Sequence, residues 1–170
     1  ELHLYTGMSL YGDQFMEWEE QLRGLYDHAR KMPGVYLREP LPKAELAKEL
    51  LTSGLSLYPS HFEECCSIAS LEVQAAGVPM ITSDLAGLKD TIKHGETGIL
   101  IPIDDEELRS RSQQYRINFL NQAIRLLRDE EAWKTLSVNA SRNIMENYSW
   151  SKIAEEWESE FFGLLDHGRA

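Results

Sequence analysis

The chain has 170 residues, of which 42% are hydrophobic, which is enough to close one core and too little for two ordinary domains. Its formal net charge of -11 argues against nucleic acids and acidic lipid surfaces as partners, because both require basic patches. No apolar run reaches membrane-spanning length and no signal pattern opens the chain, so we expect a single cytoplasmic domain over residues 1–170.

Five short β-rich runs alternate with helix-length segments, which is the pattern of parallel sheets built from strand-helix-strand units. The predicted strands are Leu2–Tyr5, Val35–Leu37, Leu55–Tyr58, Met80–Thr82 and Ile99–Ile101. The predicted fold class is therefore α/β, with a Rossmann-like open parallel sheet and flanking helices.

Two amphipathic helices are predicted before the third strand. The apolar face of the first is formed by Phe15, Trp18, Leu22, Leu25 and Ala29, and the helix ends at Met32-Pro33-Gly34. The second is a shorter stripe formed by Leu46, Ala47, Leu50 and Leu51, and it ends at Thr52-Ser53-Gly54.

The third predicted helix is short and almost wholly apolar. Ser67 is a suitable N-cap for it, and Gly77 followed by Pro79 is the usual order of stop signals.

After Ile101 the pattern is helical only, which predicts a helical tail. Its first two apolar stripes are Phe119, Ala123, Ile124 and Leu127, and then Trp133, Leu136 and Ala140. The last stripe is Trp150, Ile153, Ala154, Trp157, Phe161 and Leu164, with Ser149 or Ser151 as its cap. The acidic run Asp104-Asp105-Glu106-Glu107 is interpreted as a solvated helix start rather than a metal site.

The segment from Pro59 to Pro79 is the most informative for function, because it runs from a strand through a loop and a helix into the next strand. In an open parallel sheet, ligands bind outside the carboxyl ends of the strands, where the loop from Pro59 to Cys66 would lie. Unpaired backbone N–H groups at the start of the helix suit a phosphate or a sugar oxygen. The segment therefore predicts a small-ligand site.

Glu72 is the residue of this helix that is hardest to explain structurally, since its sequence neighbours are mostly apolar. A buried carboxylate requires a partner, and the two hydroxyls of a ribose would provide one. A solvent-facing position shared with Gln74 is the alternative, and periodicity leaves both open. Glu64 alone says less, because Glu63-Glu64 in a loop is more often a solvated pair.

Cys65 and Cys66 are adjacent, so they form no disulfide framework, and their spacing matches no zinc pattern. This usage fits a reducing compartment. The thiols are either nucleophiles or small packing residues. We favour packing, because no histidine is placed by sequence to activate them.

Glu64 and Glu72 are separated by seven residues, with Pro59-Ser60 before them and Ala75-Ala76-Gly77-Val78-Pro79 after them. In this context the two glutamates resemble the E-x7-E motif of glycosyltransferase family 4, the group 1 glycosyltransferases. Further similarity to the family is carried by Gly87-Leu88-Lys89-Asp90, Gly95–Leu100 and Asn147-Tyr148-Ser149-Trp150, so it extends over nearly the whole chain.

The resemblance implies a retaining glycosyltransferase with two Rossmann-like domains, the GT-B fold, of which this chain is the C-terminal, donor-binding half. Glu72 would hold the ribose hydroxyls of a nucleotide-diphosphate sugar. Glu64, the catalytic candidate, would contact hydroxyls of the donor sugar.

Further donor contacts are implied in the same way. Backbone amides around Cys65, Cys66 and Ser67 would face the sugar and the diphosphate. The base would lie near Arg38-Glu39-Pro40-Leu41, with Leu41 as its candidate contact. Family members require no bound metal, so no cofactor is expected besides the donor substrate.

Two departures from the family pattern bear on these expectations. Cys65-Cys66-Ser67 stands where the family usually has Gly-Phe-Gly, so the backbone freedom of glycine is absent. Nothing before Glu1 supplies the family's first strand of this domain, its Arg/Lys pair or the N-terminal acceptor domain. We therefore expect a fragment that is inactive alone, whose partner is the missing N-terminal domain of the same parent chain.

Truncation predicts self-association of the chain, through unpaired strand edges and the aromatic last helix. The sequence does not decide whether the full-length parent chain associates peripherally with a membrane. A non-catalytic nucleotide-sugar-binding or interaction domain of the same fold is the alternative function, since fold analogy does not choose between them. A P-loop is excluded, because Gly95-Glu96-Thr97-Gly98 is not followed by Lys-Ser or Lys-Thr.

Overall fold

A computed structural model describes residues 1–6, 16–103 and 113–167 of the chain. The chain forms two compact units, Glu1–Leu46 and Ala47–Ala170. That residues 1–170 make up one domain stays a prediction.

The first unit is a strand-helix-strand element. β1 (Leu2–Tyr5) and β2 (Val35–Arg38) pair in parallel, and α1 (Met16–Lys31) lies between them in the chain. Gly34 leads into β2 with a φ of 78°, a left-handed conformation that favours glycine. The predicted stop of this helix at Met32-Pro33-Gly34 is confirmed.

The half-buried side of α1 differs from the predicted apolar face. It runs through Leu22, Tyr26 and Ala29, four and three residues apart, whereas Leu25 is 66% exposed. The prediction for Leu25 is wrong because Tyr26 takes the half-buried position next to it. Phe15 and the side chain of Trp18 lie outside the described residues.

α2 (Lys43–Leu51) begins within the residues of the first unit and ends within those of the second. Of its predicted stripe, Leu46 and Leu50 are half-buried, whereas Ala47 and Leu51 are exposed. Leu50 packs against a core cluster of the second unit. The half-buried stripe of α2 is therefore narrower than predicted.

The second unit contains a three-stranded parallel sheet in the order β3-β4-β5. The strands are β3 (Ser56–Tyr58), β4 (Met80–Ser83) and β5 (Gly98–Ile101). β4 is central and entirely buried. All five predicted strands are therefore confirmed, with bounds that differ by at most one residue at either end.

Helices pack on both faces of this sheet. The described helices that follow β3 are α3 (Ile68–Ala75), α4 (Leu88–Thr91), α5 (Gln113–Arg128), α6 (Glu130–Asn147) and α7 (Trp150–His167). Met80 and Ile81 are consecutive in β4 but belong to two different core clusters, one with Val73 of α3 and one with Phe119 of α5. Because successive side chains of a strand point to opposite faces, α3 and α5 cover opposite faces, as in a Rossmann-like fold.

The tail is helical as predicted, but its stripes are partly different. On α5 the buried residues are Tyr115, Phe119, Ala123 and Leu126. The predicted members Ile124 and Leu127 are exposed, because the side facing the sheet is centred one residue before them. On α6, Leu136 and Ala140 are buried and Trp133 is half-buried, which confirms that stripe.

The last helix, α7, is capped as predicted, since the amide of Lys152 donates to Ser149 Oγ at 3.3 Å. Most of its apolar stripe is exposed, with Trp157 at 63%. No described helix is long and apolar enough to cross a bilayer. The acidic run 104–107 lies outside the described residues.

Candidate functional site

The loop after β3 is folded by hydrogen bonds among its own residues. The amide of Ser60 donates to the carbonyl of Tyr58 at 2.8 Å, and the amide of Phe62 donates to Ser60 Oγ at 3.2 Å. The amide of Glu64 then donates to the carbonyl of Phe62 at 3.1 Å. These short-range hydrogen bonds reverse the chain direction, so that Glu64 lies next to Tyr58, the last residue of β3.

Two linked hydrogen bonds between hydroxyl groups and backbone connect the loop to the neighbouring strand and to α5. Ser83, the last residue of β4, donates its Oγ–H to the carbonyl of Ser60, and its Oγ lies 2.8 Å from the hydroxyl of Tyr115. Because a carbonyl only accepts, Ser83 uses its single proton there, and Tyr115 must donate to Ser83. Burial raises the pKa of Tyr115.

The carboxylate of Glu64 is held at the carboxyl end of β3. The hydroxyl of Tyr58 donates to Glu64 Oε1 at 2.6 Å, and Ser60 Oγ lies 3.5 Å from the same oxygen. The first is a short, charge-assisted bond, whereas the second is at the limit for a hydrogen bond. Glu64 is half-buried while Glu63 is exposed, so the two residues are not an equivalent solvated pair.

α3 begins at the predicted cap and is fixed to α4 by buried polar groups. The amide of Ser70 donates to Ser67 Oγ at 3.4 Å, and Ser70 Oγ donates to Thr91 Oγ1 at 2.8 Å. Gln74 Nε2 donates to the carbonyls of Ser70 and Thr91 at 3.2 and 2.9 Å. The orientation of α3 is therefore set by hydrogen bonds as well as by apolar packing.

The expectation that α3, which is almost wholly apolar in sequence, is a buried helix is wrong. Its buried residues are Ser70, Val73 and Gln74, whereas Ile68 is 62% exposed. Gln74 is buried, so Glu72 does not share a solvent-facing side with it. At about 100° per residue, Glu72 lies on the side of α3 opposite Ser70, where it is half-buried.

The preferred interpretation of the cysteines as packing residues is also wrong, because Cys65 and Cys66 are both exposed. Their backbone, rather than their side chains, makes the close contact. A Cβ placed on Gly87 would lie 2.3 Å from the carbonyl oxygen of Cys65. The neighbouring Ser67 is buried and caps the helix.

Two further motif segments connect to this loop, one directly and the other through the first. The amide of Gly87 donates to the carbonyl of Glu64 at 2.8 Å, which joins the loop after β4 to the loop after β3. The hydroxyl of Tyr148 donates to the carbonyl of Asp90 at 2.8 Å. Burial raises the pKa of Tyr148, and electrostatic interactions with Cys66 and Asp90 raise it further.

The segment Gly95–Leu100, by contrast, builds the turn into β5. Thr97 is buried and its Oγ1 accepts from the amide of Lys93 at 3.0 Å. Gly95 has a φ of 76°, and its amide donates to the carbonyl of Gly98 at 2.8 Å. These residues therefore shape the turn that leads into β5.

The predicted site residues thus fall in two places. Glu64, Cys65, Cys66, Ser67 and Glu72 belong to the second unit, whereas Leu41 is half-buried in the first, between β2 and α2. Whether Glu64 and Glu72 open on one ligand, and whether Leu41 contacts it, stay predictions.

Sequence reasoning missed Tyr58 and Ser83, the residues that hold the loop. The available signal was a hydroxyl at the end of the predicted strand Leu55–Tyr58 and another directly after the predicted strand Met80–Thr82.

Comparison with known proteins identifies related sequences. The family profile described as "Glycosyl transferases group 1" matches residues 6–129. The chain is 31% identical over 126 residues to N-acetyl-alpha-D-glucosaminyl L-malate synthase of Bacillus anthracis, covering 74% of this chain and 30% of that protein. It is 25% identical over 139 residues to alpha-maltose-1-phosphate synthase of Mycolicibacterium smegmatis, covering 81% of this chain and 35% of that protein. The chain therefore spans about a third of the length of these relatives.

Solved structures share the fold. Sucrose-phosphate synthase from Thermosynechococcus elongatus superposes with a TM-score of 0.74 at 24% identity, over 98% of this chain and 39% of that one. Anabaena Alr3699/HepE, crystallised in complex with UDP-glucose, superposes with a TM-score of 0.68 at 18% identity, over 92% and 40% of the two chains.

Proposed function

Because this chain belongs to the group 1 glycosyltransferases, we propose that it binds the nucleotide-diphosphate sugar from which the full-length protein transfers a sugar. One observation carries the proposal. The Glu64 carboxylate is held 2.6 Å from the Tyr58 hydroxyl, at the carboxyl end of a parallel strand and three residues before the cap of α3. This is the edge of such a sheet where ligands bind.

In this proposal, each part of the donor meets a different group. Glu64 accepts hydrogen bonds from hydroxyls of the sugar, and Glu72, on the outward side of α3, accepts them from the ribose. The amides around Cys65, Cys66 and Ser67 lie at the positive end of the helix dipole, which suits the diphosphate. The UDP-glucose bound to Anabaena Alr3699/HepE supports a donor of this class.

The sugar is transferred with retention of anomeric configuration, and no metal is required. The diphosphate leaves as an anion, and a helix N-terminus stabilises that charge through backbone N–H groups. The acceptor binds to a second domain of the full-length protein. We place the protein in the cytoplasm, since a reducing compartment keeps two adjacent exposed thiols free.

The test is sugar transfer by the full-length protein, supplied with a panel of nucleotide-diphosphate sugars in the presence of EDTA. Proton NMR of the product gives its anomeric configuration, and we expect that of the donor. Donor binding without transfer to any acceptor would favour the non-catalytic alternative. The absence of binding to every nucleotide-diphosphate sugar would overturn the proposal.

A further inference from the structure

We propose that Tyr58 is the positioning residue that sets the orientation of the Glu64 carboxylate toward the donor sugar. This inference rests on the proposed function, since it assigns a role to Tyr58 through Glu64. The Tyr58 hydroxyl holds one carboxylate oxygen, Oε1, at 2.6 Å. Within the described part of the chain, no hydrogen bond reaches the other oxygen, which is left for a hydroxyl of the ligand.

Tyr58 is itself fixed at both ends. Its ring packs against the core cluster that contains Val73, Met80 and Leu100. Its carbonyl accepts from Thr82 Oγ1 at 2.7 Å and from the amide of Ser60 at 2.8 Å. The core packing of the ring and the hydrogen bond from Thr82 of β4 therefore restrict where the Tyr58 hydroxyl lies, and the Glu64 carboxylate is oriented against it.

Ser60 is not able to replace Tyr58 in this role. Its Oγ lies 3.5 Å from Glu64 Oε1 and 3.4 Å from the carbonyl of Phe62, so one proton serves two distant acceptors. Without the Tyr58 hydroxyl, the Glu64 side chain regains rotamer freedom. The orientation that faces the sugar is then less populated, while the backbone that faces the nucleotide is unchanged.

The experiment compares Tyr58→Phe with wild type in the full-length protein, because phenylalanine keeps the ring in the core and removes only the hydroxyl. We expect kcat for sugar transfer to fall about tenfold or more, as for loss of a charge-assisted hydrogen bond. The Kd for the nucleoside diphosphate should stay within about twofold of wild type. Tyr36→Phe is the matched control and should behave as wild type, since its exposed hydroxyl has, among the described residues, a single hydrogen-bond contact, with Glu1 at 3.5 Å.

A double-mutant cycle with Glu64→Ala separates the two proposals. If Tyr58 acts through Glu64, Tyr58→Phe changes kcat by less than about twofold once Glu64 is alanine. A wild-type kcat in Tyr58→Phe, or an equal loss in both backgrounds, would refute the positioning role while leaving the proposed function intact. Equal losses of kcat and nucleotide affinity would also refute it, since they indicate a damaged fold. Wild-type transfer by Glu64→Ala would instead refute the proposed role of Glu64.

Discussion

The amide of Gly87 donates to the carbonyl of Glu64 at 2.8 Å, and the two loops are so close that Gly87 has no room for a side chain. A Cβ would lie 2.3 Å from the carbonyl oxygen of Cys65. The φ of -62° at Gly87 is open to any residue, so the close approach alone requires glycine here. The position of the Glu64 loop therefore depends on the loop after β4.

Gly87→Ala is expected to destabilise the protein by about 2 kcal/mol, because backbone must move to accept the methyl group. Urea unfolding measures the change. Gly24→Ala is the matched control, since nothing lies within 4 Å of its added Cβ and its position in α1 favours alanine. It should stabilise by about 0.5–1 kcal/mol. Wild-type stability of Gly87→Ala would contradict the close approach.

Tyr115→Phe is expected to cost about 1 kcal/mol at neutral pH, because it removes the donor to Ser83. Burial raises the pKa of Tyr115 in the folded state. Above about pH 10 the unfolded chain therefore loses this proton first, and the stability that depends on the neutral phenol declines as pH rises. The free energies of unfolding of Tyr115→Phe and wild type should be measured from neutral pH to above about pH 10. The difference between them should become smaller as pH rises. A difference that grows with pH would contradict the assignment of Tyr115 as donor.

Both thiols are expected to react rapidly with a disulfide reagent such as DTNB in the folded protein, since Cys65 and Cys66 are exposed. Absorbance gives the number of thiols, and the single variants Cys65→Ser and Cys66→Ser assign them. A nucleotide-diphosphate sugar should slow the reaction in the full-length protein. Thiols that react only after unfolding would show that this loop is closed.

Self-association is expected from α7, where the rings of Trp157 and Phe161 pack edge to face at 5.9 Å and remain mostly exposed. Light scattering of this chain across a dilution series should show a mass that falls on dilution. The double variant Trp157→Gln/Phe161→Gln should associate less. The control Ser159→Gln, on the polar side of the helix, should associate as wild type does. A strictly monomeric species at high concentration would contradict the prediction.

Local patterns predicted the elements well because each depends on nearby residues. β2 to β5 are short apolar runs next to a glycine or a proline, and the caps at Ser67 and Ser149 are predicted from single residues. Burial was harder to predict on α3. Gln74 is buried because it donates to the carbonyl of Thr91, seventeen residues away, a partner that no periodicity contains.

For the candidate site, too, what could be predicted depends on whether the residues are close in sequence. The pair Glu64 and Glu72 was identified through its resemblance to a family motif, which was possible because both residues and their flanking motif residues lie in one strand-loop-helix segment. The contacts of Glu64 with Gly87, and of Tyr148 with Asp90, arise from tertiary packing between segments far apart in sequence. They were predicted as motifs but not as neighbours.

The most direct test is calorimetric titration of a nucleoside diphosphate into the full-length protein and its variants Glu72→Gln and Glu64→Gln, with sugar transfer assayed in parallel. Glu72→Gln should weaken nucleotide binding about tenfold, because a neutral amide replaces the acceptor of the ribose hydroxyls. Glu64→Gln should bind the nucleotide as wild type does and transfer sugar more slowly. Wild-type binding and wild-type transfer in both variants would contradict the assignment of this loop and helix as the donor site.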